Sequence, residues 1–263
     1  MVYTCFDMIR DCRTNLPDGW SYFITNYVPS VRTLLGHYRA EHMAALDTLL
    51  MTIAAPDAGL FSSLKPLSER EFLLALRQNV LEALDRAAPW PQPEVGVELE
   101  ALTQALEAFT LVERQVVWLE TMNYTVTQAG TMLRMAPATA QKIRDTAGDR
   151  IRGRIEAWRQ TVLSENGRFL GRAAYAAATP GCLASKAFLD VIDGRTTWLG
   201  REELERHVRG CWHCIDHFSR SFEAVELVRL SRPLNEQEAE RFRKLLGLRK
   251  DRRPAWKRLF GGA

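Results

Sequence analysis

Apolar residues along this chain recur every three or four positions, and no convincing run alternates with period two. The first spacing places a stripe on one face of an α-helix, whereas a half-buried strand needs alternation. The fold class that follows is all-α. Residues 20–50, WSYFITNYVPSVRTLLGHYRAEHMAALDTLL, carry the helical pattern, with Pro29 marking an early boundary or kink. Residues 68–87 carry it again. Ser68 stands three positions before Glu71, a capping-box spacing, and Phe72, Leu73, Leu76, Val80, Leu81 and Leu84 form the stripe.

Residues 88–97, APWPQPEVGV, interrupt the pattern. Pro89, Pro91 and Pro93 cannot sit inside a helix and make a stiff, extended linker. A chain of 263 residues divides sensibly into two or three modules. The expected organisation is a helical domain at 1–87, the Pro-rich linker at 88–97 and a second helical domain at 98–163. A looser connector at 164–181 follows, with Gly167, Gly171, Pro180 and Gly181. A third module spans 182–247 and a basic tail 248–263. With 46% hydrophobic residues there is enough apolar material for real cores.

The net charge of +3 excludes little, but its distribution is uneven. Between 241 and 258, Arg241, Arg243, Lys244, Arg249, Lys250, Arg252, Arg253, Lys257 and Arg258 face only Asp251. Such a tail suits phosphates, an acidic partner or plain solvent. No stretch has eighteen uninterrupted apolar residues, so no membrane span is expected. The opening MVYTCFDMIRDCR lacks the basic-then-apolar order of a signal peptide. The expected location is cytoplasmic, where the five cysteines are thiols or metal ligands before they are disulfides.

Within the middle block, helical pieces fit 99–109, 111–122, 125–133 and Ala138 to about Trp158. A short helix, a tight turn and a longer helix make a helix-turn-helix candidate. Pro137 suits the first turn of the last helix, where its missing N–H costs nothing. That helix carries Thr139, Gln141, Lys142, Arg144, Arg150, Arg152 and Arg154, the candidate DNA-contacting residues. In a major groove, the early ones would meet base edges and the later ones phosphates. Many helical bundles share this arrangement without touching DNA.

Near the C-terminus, HVRGCWHC (207–214) holds His207, Cys211 and Cys214 at spacing H-x3-C-x2-C. On one continuous helix, His207 and Cys211 would share a face, with Cys214 one turn further. A structural zinc needs four sulfur or imidazole donors in a tetrahedron. Cys182 is the fourth candidate. Two antiparallel helices, 183–192 and one from about Arg201, joined at Asp193-Gly194, would return His207 to its neighbourhood. His213 and His217 are alternate ligands. A C-x2-C dithiol pair and a cluster of buried thiols remain competing readings. Cys5 and Cys12 show no partner and read as ordinary thiols. No Gly-rich phosphate loop or Ser/His/Asp set suggests an enzyme, and four protein ligands leave a zinc no open catalytic position.

Three resemblances extend this reading. Residues 105–155, ALEAFTLVERQVVWLETMNYTVTQAGTMLRMAPATAQKIRDTAGDRIRGRI, resemble region four of extracytoplasmic-function sigma factors, which recognises the minus-thirty-five promoter element. The matches are Ala105, Leu106, Glu113, Arg114, Val116, Leu119, Ala129, Leu133, Thr139, Ala147 and Ile151. Departures are Ile143 and Thr146, where that family usually has arginines, and Gln128-Ala129-Gly130 in place of Glu-Ile-Ala. Residues 20–38, 39–50 and 72–79 resemble, more faintly, region two of the same family, which binds RNA polymerase and melts the minus-ten element. His42 and Ala45 replace the family's Asp and Gln. Residues 188–214, FLDVIDGRTTWLGREELERHVRGCWHC, preceded by Cys182, resemble the zinc-binding anti-sigma domain.

Together the resemblances imply a sigma-like transcription regulator with a fused anti-sigma-like module that controls access to promoter DNA and the RNA polymerase core. Tethering would raise the effective concentration of the contact between module and sigma-like blocks, typically to the millimolar range. The implied cofactor is structural Zn2+. Zinc release, or oxidation of Cys211 and Cys214, is a candidate switch. The substitutions at His42, Ala45, Ile143 and Thr146 favour an alternative, a protein-interaction module that no longer reads DNA.

Overall fold

A computed structural model describes residues 3–38, 46–54, 59–63, 68–87 and 89–248. Every regular element among them is a helix. The first block contains α1 (Cys5–Arg13), α2 (Pro17–Asn26), α3 (Val28–Tyr38), α4 (Leu46–Ala54), α5 (Gly59–Ser63) and α6 (Glu69–Ala87). The middle block contains α7 (Leu99–Ala105), α8 (Leu111–Thr121), α9 (Val126–Met132) and α10 (Pro137–Arg152). Then come α11 (Val162–Ala176), α12 (Ser185–Ile192), α13 (Trp198–Arg209), α14 (Trp212–Leu230) and α15 (Glu236–Leu245). The sites of His42 and Ala45, and the tail from 249 onward, lie outside the described residues.

Local chemistry explains where these helices start. Ser68 and Glu71 bond reciprocally ahead of α6, with the Ser68 hydroxyl donating at 2.7 Å to the carboxylate. Thr110 with Glu113 and Thr125 with Gln128 form the same boxes at α8 and α9. Pro137 is the first residue of α10. Between α8 and α9 the chain turns through Asn123 at φ 69°, a left-handed conformation that asparagine tolerates.

The expectation of a looser connector at 164–181 needs correction. Most of it is α11, whose face of Leu163, Asn166, Gly167, Leu170, Gly171 and Ala174 is buried. Its Gly167 is there for contact. A Cβ on Gly167 would lie 2.2 Å from the Thr121 carbonyl oxygen, so only glycine lets α11 cross α8 this closely. The Pro-rich stretch is non-helical as expected, and α11 holds it in place. The Asn166 side chain accepts from the Val97 N–H at 2.9 Å and donates to the Val95 carbonyl at 2.7 Å. The Trp90 indole donates to Asp85 at 2.5 Å, and Asp85 also pairs with Arg168 and Arg172.

Helix α14 is the centre of the molecule. It packs on α3 and α6 from the first block, on α8 and α9 from the middle block, and on α11, α12 and α13. Surrounded in this way, it buries polar residues among apolar ones: Asp216, Ser219, Ser221 and Glu223 beside Ile215, Phe218, Ala224 and Leu227. Each buried charge has a partner. Asp216 accepts from the Trp118 indole at 3.0 Å and pairs with Arg220 at 2.6 Å. Glu223 pairs with Arg77 of α6 and accepts from the Tyr124 hydroxyl at 2.6 Å. Helix α15 returns to the first block, where Glu238 pairs with Arg32 at 2.7 Å and Arg241 with Asp47. One apolar core therefore runs from Met8 to Phe242 through all three expected blocks.

Candidate metal centre

The four candidate ligands meet at a corner between helices. Helix α12 ends at Asp193, and Gly194, with φ 70°, turns the chain back. Thr197 caps α13, its hydroxyl accepting from the Gly200 N–H at 3.2 Å. Helix α13 stops at Gly210, and Cys211, in an extended conformation, is the N-cap residue of α14. This corrects the expectation of one helix for His207, Cys211 and Cys214. His207 lies in the last turn of α13 and Cys214 in the first turn of α14. Both α12 and α13 pack on α14, which brings Cys182, just ahead of α12, to the same corner.

The ligand atoms of Cys182, His207, Cys211 and Cys214 all lie within 4.8 Å of one another. The Cys182 and Cys211 sulfurs are 3.6 Å apart, and His207 Nε2 is 3.2 Å from the Cys214 sulfur. Zinc–sulfur bonds of about 2.3 Å and zinc–nitrogen bonds of about 2.0 Å give tetrahedron edges of roughly 3.5–3.8 Å. The cluster is close to that size and could hold a metal ion. Three thiols and one imidazole are a donor set compatible with zinc.

The surroundings differ from sulfur to sulfur. Thr179 donates its N–H to the Cys182 sulfur at 3.2 Å, with its hydroxyl at 3.5 Å. The Thr179 hydroxyl and N–H, aided by Cys211 and Cys214, hold the Cys182 thiol below its ordinary value. Burial pushes the Cys214 thiol up to about 12, against the Leu183 N–H that favours its thiolate. A metal binds thiolates, so its uptake at this cluster would displace thiol protons and release acid. Thr179 and Leu183 were not singled out in the sequence. The signal was the Thr179-Pro180-Gly181-Cys182 turn, which sets the Thr179 N–H on the Cys182 sulfur and the Cys182 N–H on the Thr179 carbonyl at 3.0 Å.

The alternate ligands stand apart. The His213 ring bonds the Tyr175 carbonyl through Nδ1 at 3.1 Å. His217 Nε2 meets the Ser185 hydroxyl at 2.9 Å, and burial lowers this imidazole to about 4. Cys5 and Cys12 both sit on α1, where burial pushes both thiols up, away from the cluster.

Helix α10 ends at Arg152, short of the expected Trp158, so Arg154 lies beyond it and the other candidate DNA-contacting residues distribute unevenly around it. Thr139, Gln141, Lys142, Arg150, Arg152 and Arg154 are exposed. Arg144 turns inward to Glu120, with Nε 2.9 Å from the carboxylate. Arg150 lies 5.1 Å over the Phe109 ring, and Arg154 donates to Gln104 at 3.0 Å. Asp145 and Asp149, both exposed, share the outer face with Lys142 and Arg152. No family model matches the chain, and no curated protein or solved structure matches it either.

Proposed function

We propose that this chain is a sigma-factor-like transcription regulator in which zinc at Cys182, His207, Cys211 and Cys214 anchors α14 between two helical blocks. The observation that carries this reading is the position of α14. It begins at the metal corner and runs between α3/α6 and α8/α9, bonded to both through Glu223. When bound, zinc would supply cross-linking energy, about 10–16 kcal/mol in small finger peptides. Cys211 and Cys214 tie the start of α14, Cys182 ties α12, and His207 ties α13. Surfaces of α3, α6, α8 and α9 under α14 are closed to promoter DNA and the RNA polymerase core in this arrangement, and loss of the tie would open them. With all four positions taken by protein, the zinc would be structural and have no open catalytic position.

The test uses the full chain. Core RNA polymerase pull-down and fluorescence anisotropy with labelled duplex DNA would compare the zinc-loaded protein with its Cys211→Ser/Cys214→Ser variant. Stronger capture by the variant supports the reading. Absence of polymerase and DNA binding in both forms overturns it. The outer face of α10 favours a second reading. With Asp145 and Asp149 among Lys142 and Arg152, and Arg144 committed to Glu120, that face offers little net positive charge to phosphates. A protein-interaction module derived from a sigma factor predicts that neither form binds DNA.

A further inference from the structure

A cleft of about 460 Å3 lies between α8, α10 and the segment leading into α11. Its volume falls within the roughly 300–1,000 Å3 of small-molecule sites. Buried Val117, Ala147, Ile151 and Leu163 form an apolar floor. The Glu120–Arg144 pair closes one side, and Trp158 with Arg159 lines another.

Two independent observations point to a ligand. The first is Gly148, in the interior of α10 and lining the cleft. A helix-interior glycine is destabilising relative to alanine, and its bare backbone allows a ligand to approach closely. A Cβ on Gly148 would meet nothing within 4 Å, whereas one on Gly130 would meet the Met135 carbonyl at 3.3 Å. Packing within this chain gives Gly148 no role, and its effect is to keep the cleft open. The second is Glu120. Its carboxylate lines the cleft 2.9 Å from the Arg144 Nε, and burial pushes it up. A cationic ligand group would meet that carboxylate there.

The lining charges narrow the ligand class. Glu120, Asp145 and Asp149 balance Arg144, Arg152 and Arg159. A nucleotide would meet the carboxylates and a polyamine the guanidiniums. A molecule with one charge of each sign meets complementary groups at both ends. We propose that this cleft binds a zwitterionic amino acid or short peptide with a bulky apolar side chain. Its ammonium would sit at Glu120 and its carboxylate on the Arg144 fork, which offers donors beyond the Nε held by Glu120. Its side chain would lie over Gly148 against Trp158. The cleft is lined by Asp145, Asp149 and Arg152 of α10 but not by Lys142, and the proposal does not depend on the sigma-factor reading.

Isothermal titration calorimetry of the full chain with L-phenylalanine, L-leucine and the dipeptide leucyl-phenylalanine tests this. Saturable binding of one molecule per chain by at least one probe is expected. N-acetyl-phenylalanine amide, which lacks both charges, should bind at least tenfold more weakly than phenylalanine. Gly148→Leu should cost at least tenfold while leaving the helical circular dichroism unchanged; should leucine disturb folding, Gly148→Ala narrows the same space by one methyl and should weaken binding severalfold. Glu120→Gln should also cost at least tenfold. Absence of saturable binding by all three probes overturns the proposal. So does binding that Gly148→Leu and Gly148→Ala leave unchanged, or tighter binding of ATP or spermidine that Gly148→Leu abolishes.

Discussion

Removing the charge of Glu223 is the sharpest way to test whether α14 holds the molecule together. Its side chain and that of Arg77 are each only 2% exposed, so neither charge has water to fall back on. Glutamine keeps the shape and can still accept from the Tyr124 hydroxyl, now at 2.6 Å, but removes the carboxylate charge that faces the buried Arg77 guanidinium. Breaking a buried pair from one side costs about 3–5 kcal/mol. In a chain of this length that lowers Tm by roughly 6–20 °C, at about 2–4 °C per kcal/mol. Alanine also removes the acceptor that Glu223 offers the Tyr124 hydroxyl, adding about 1–3 kcal/mol.

Urea unfolding followed by far-ultraviolet circular dichroism measures the loss, and zinc release recorded in the same titration shows whether the metal corner goes with it. The double variant Arg77→Met/Glu223→Leu should recover most of the stability, because an apolar pair of similar volume is often neutral or better. Glu223→Gln within about 1 kcal/mol of wild type, or a double variant no better than the single one, would refute the reasoning.

Four further outcomes are expected. Burial alone would raise the Glu223 carboxyl, but Arg77, Tyr124 and His37 more than offset it and hold it below the usual carboxylate range. A depressed native value means that the stabilisation is present above the unfolded value of about 4.3 and is lost as pH falls through the native one; wild type should therefore lose more stability than Glu223→Gln on acidification below about pH 5. The wild-type chain should carry about one zinc by atomic absorption, with His213→Ala and His217→Ala retaining it and Cys211→Ser/Cys214→Ser losing it. Gly167→Ala should destabilise by about 1–3 kcal/mol in urea, because its methyl has backbone, not a flexible side chain, in its way. Gly148→Ala should instead stabilise by about 1 kcal/mol, since the added methyl meets nothing and the helix gains propensity.

The chain's local order was legible in its sequence. The period of apolar residues, the Ser68–Glu71 box and Pro137 at the start of α10 are short-range chemistry, and the all-helical fold follows from them. The four soft ligands were legible too, because donor type and spacing are properties of the covalent chain. What tertiary structure decided is what those residues face. The helix break at Gly210 puts His207 and Cys214 on different helices, yet a corner gathers ligands as well as a straight helix would. Gly167 looked like a flexible connector, because a glycine selected for a 2.2 Å approach and one selected for freedom are identical in sequence. Arg144 looked like a groove-facing cation until Glu120 was placed beside it. Most of all, α14 carries a weak apolar stripe because helices surround it on several sides. Asp216 has a local partner in Arg220, but Glu223 is tolerable in a core through Tyr124 and Arg77, partners about a hundred residues away or more that no local pattern can supply.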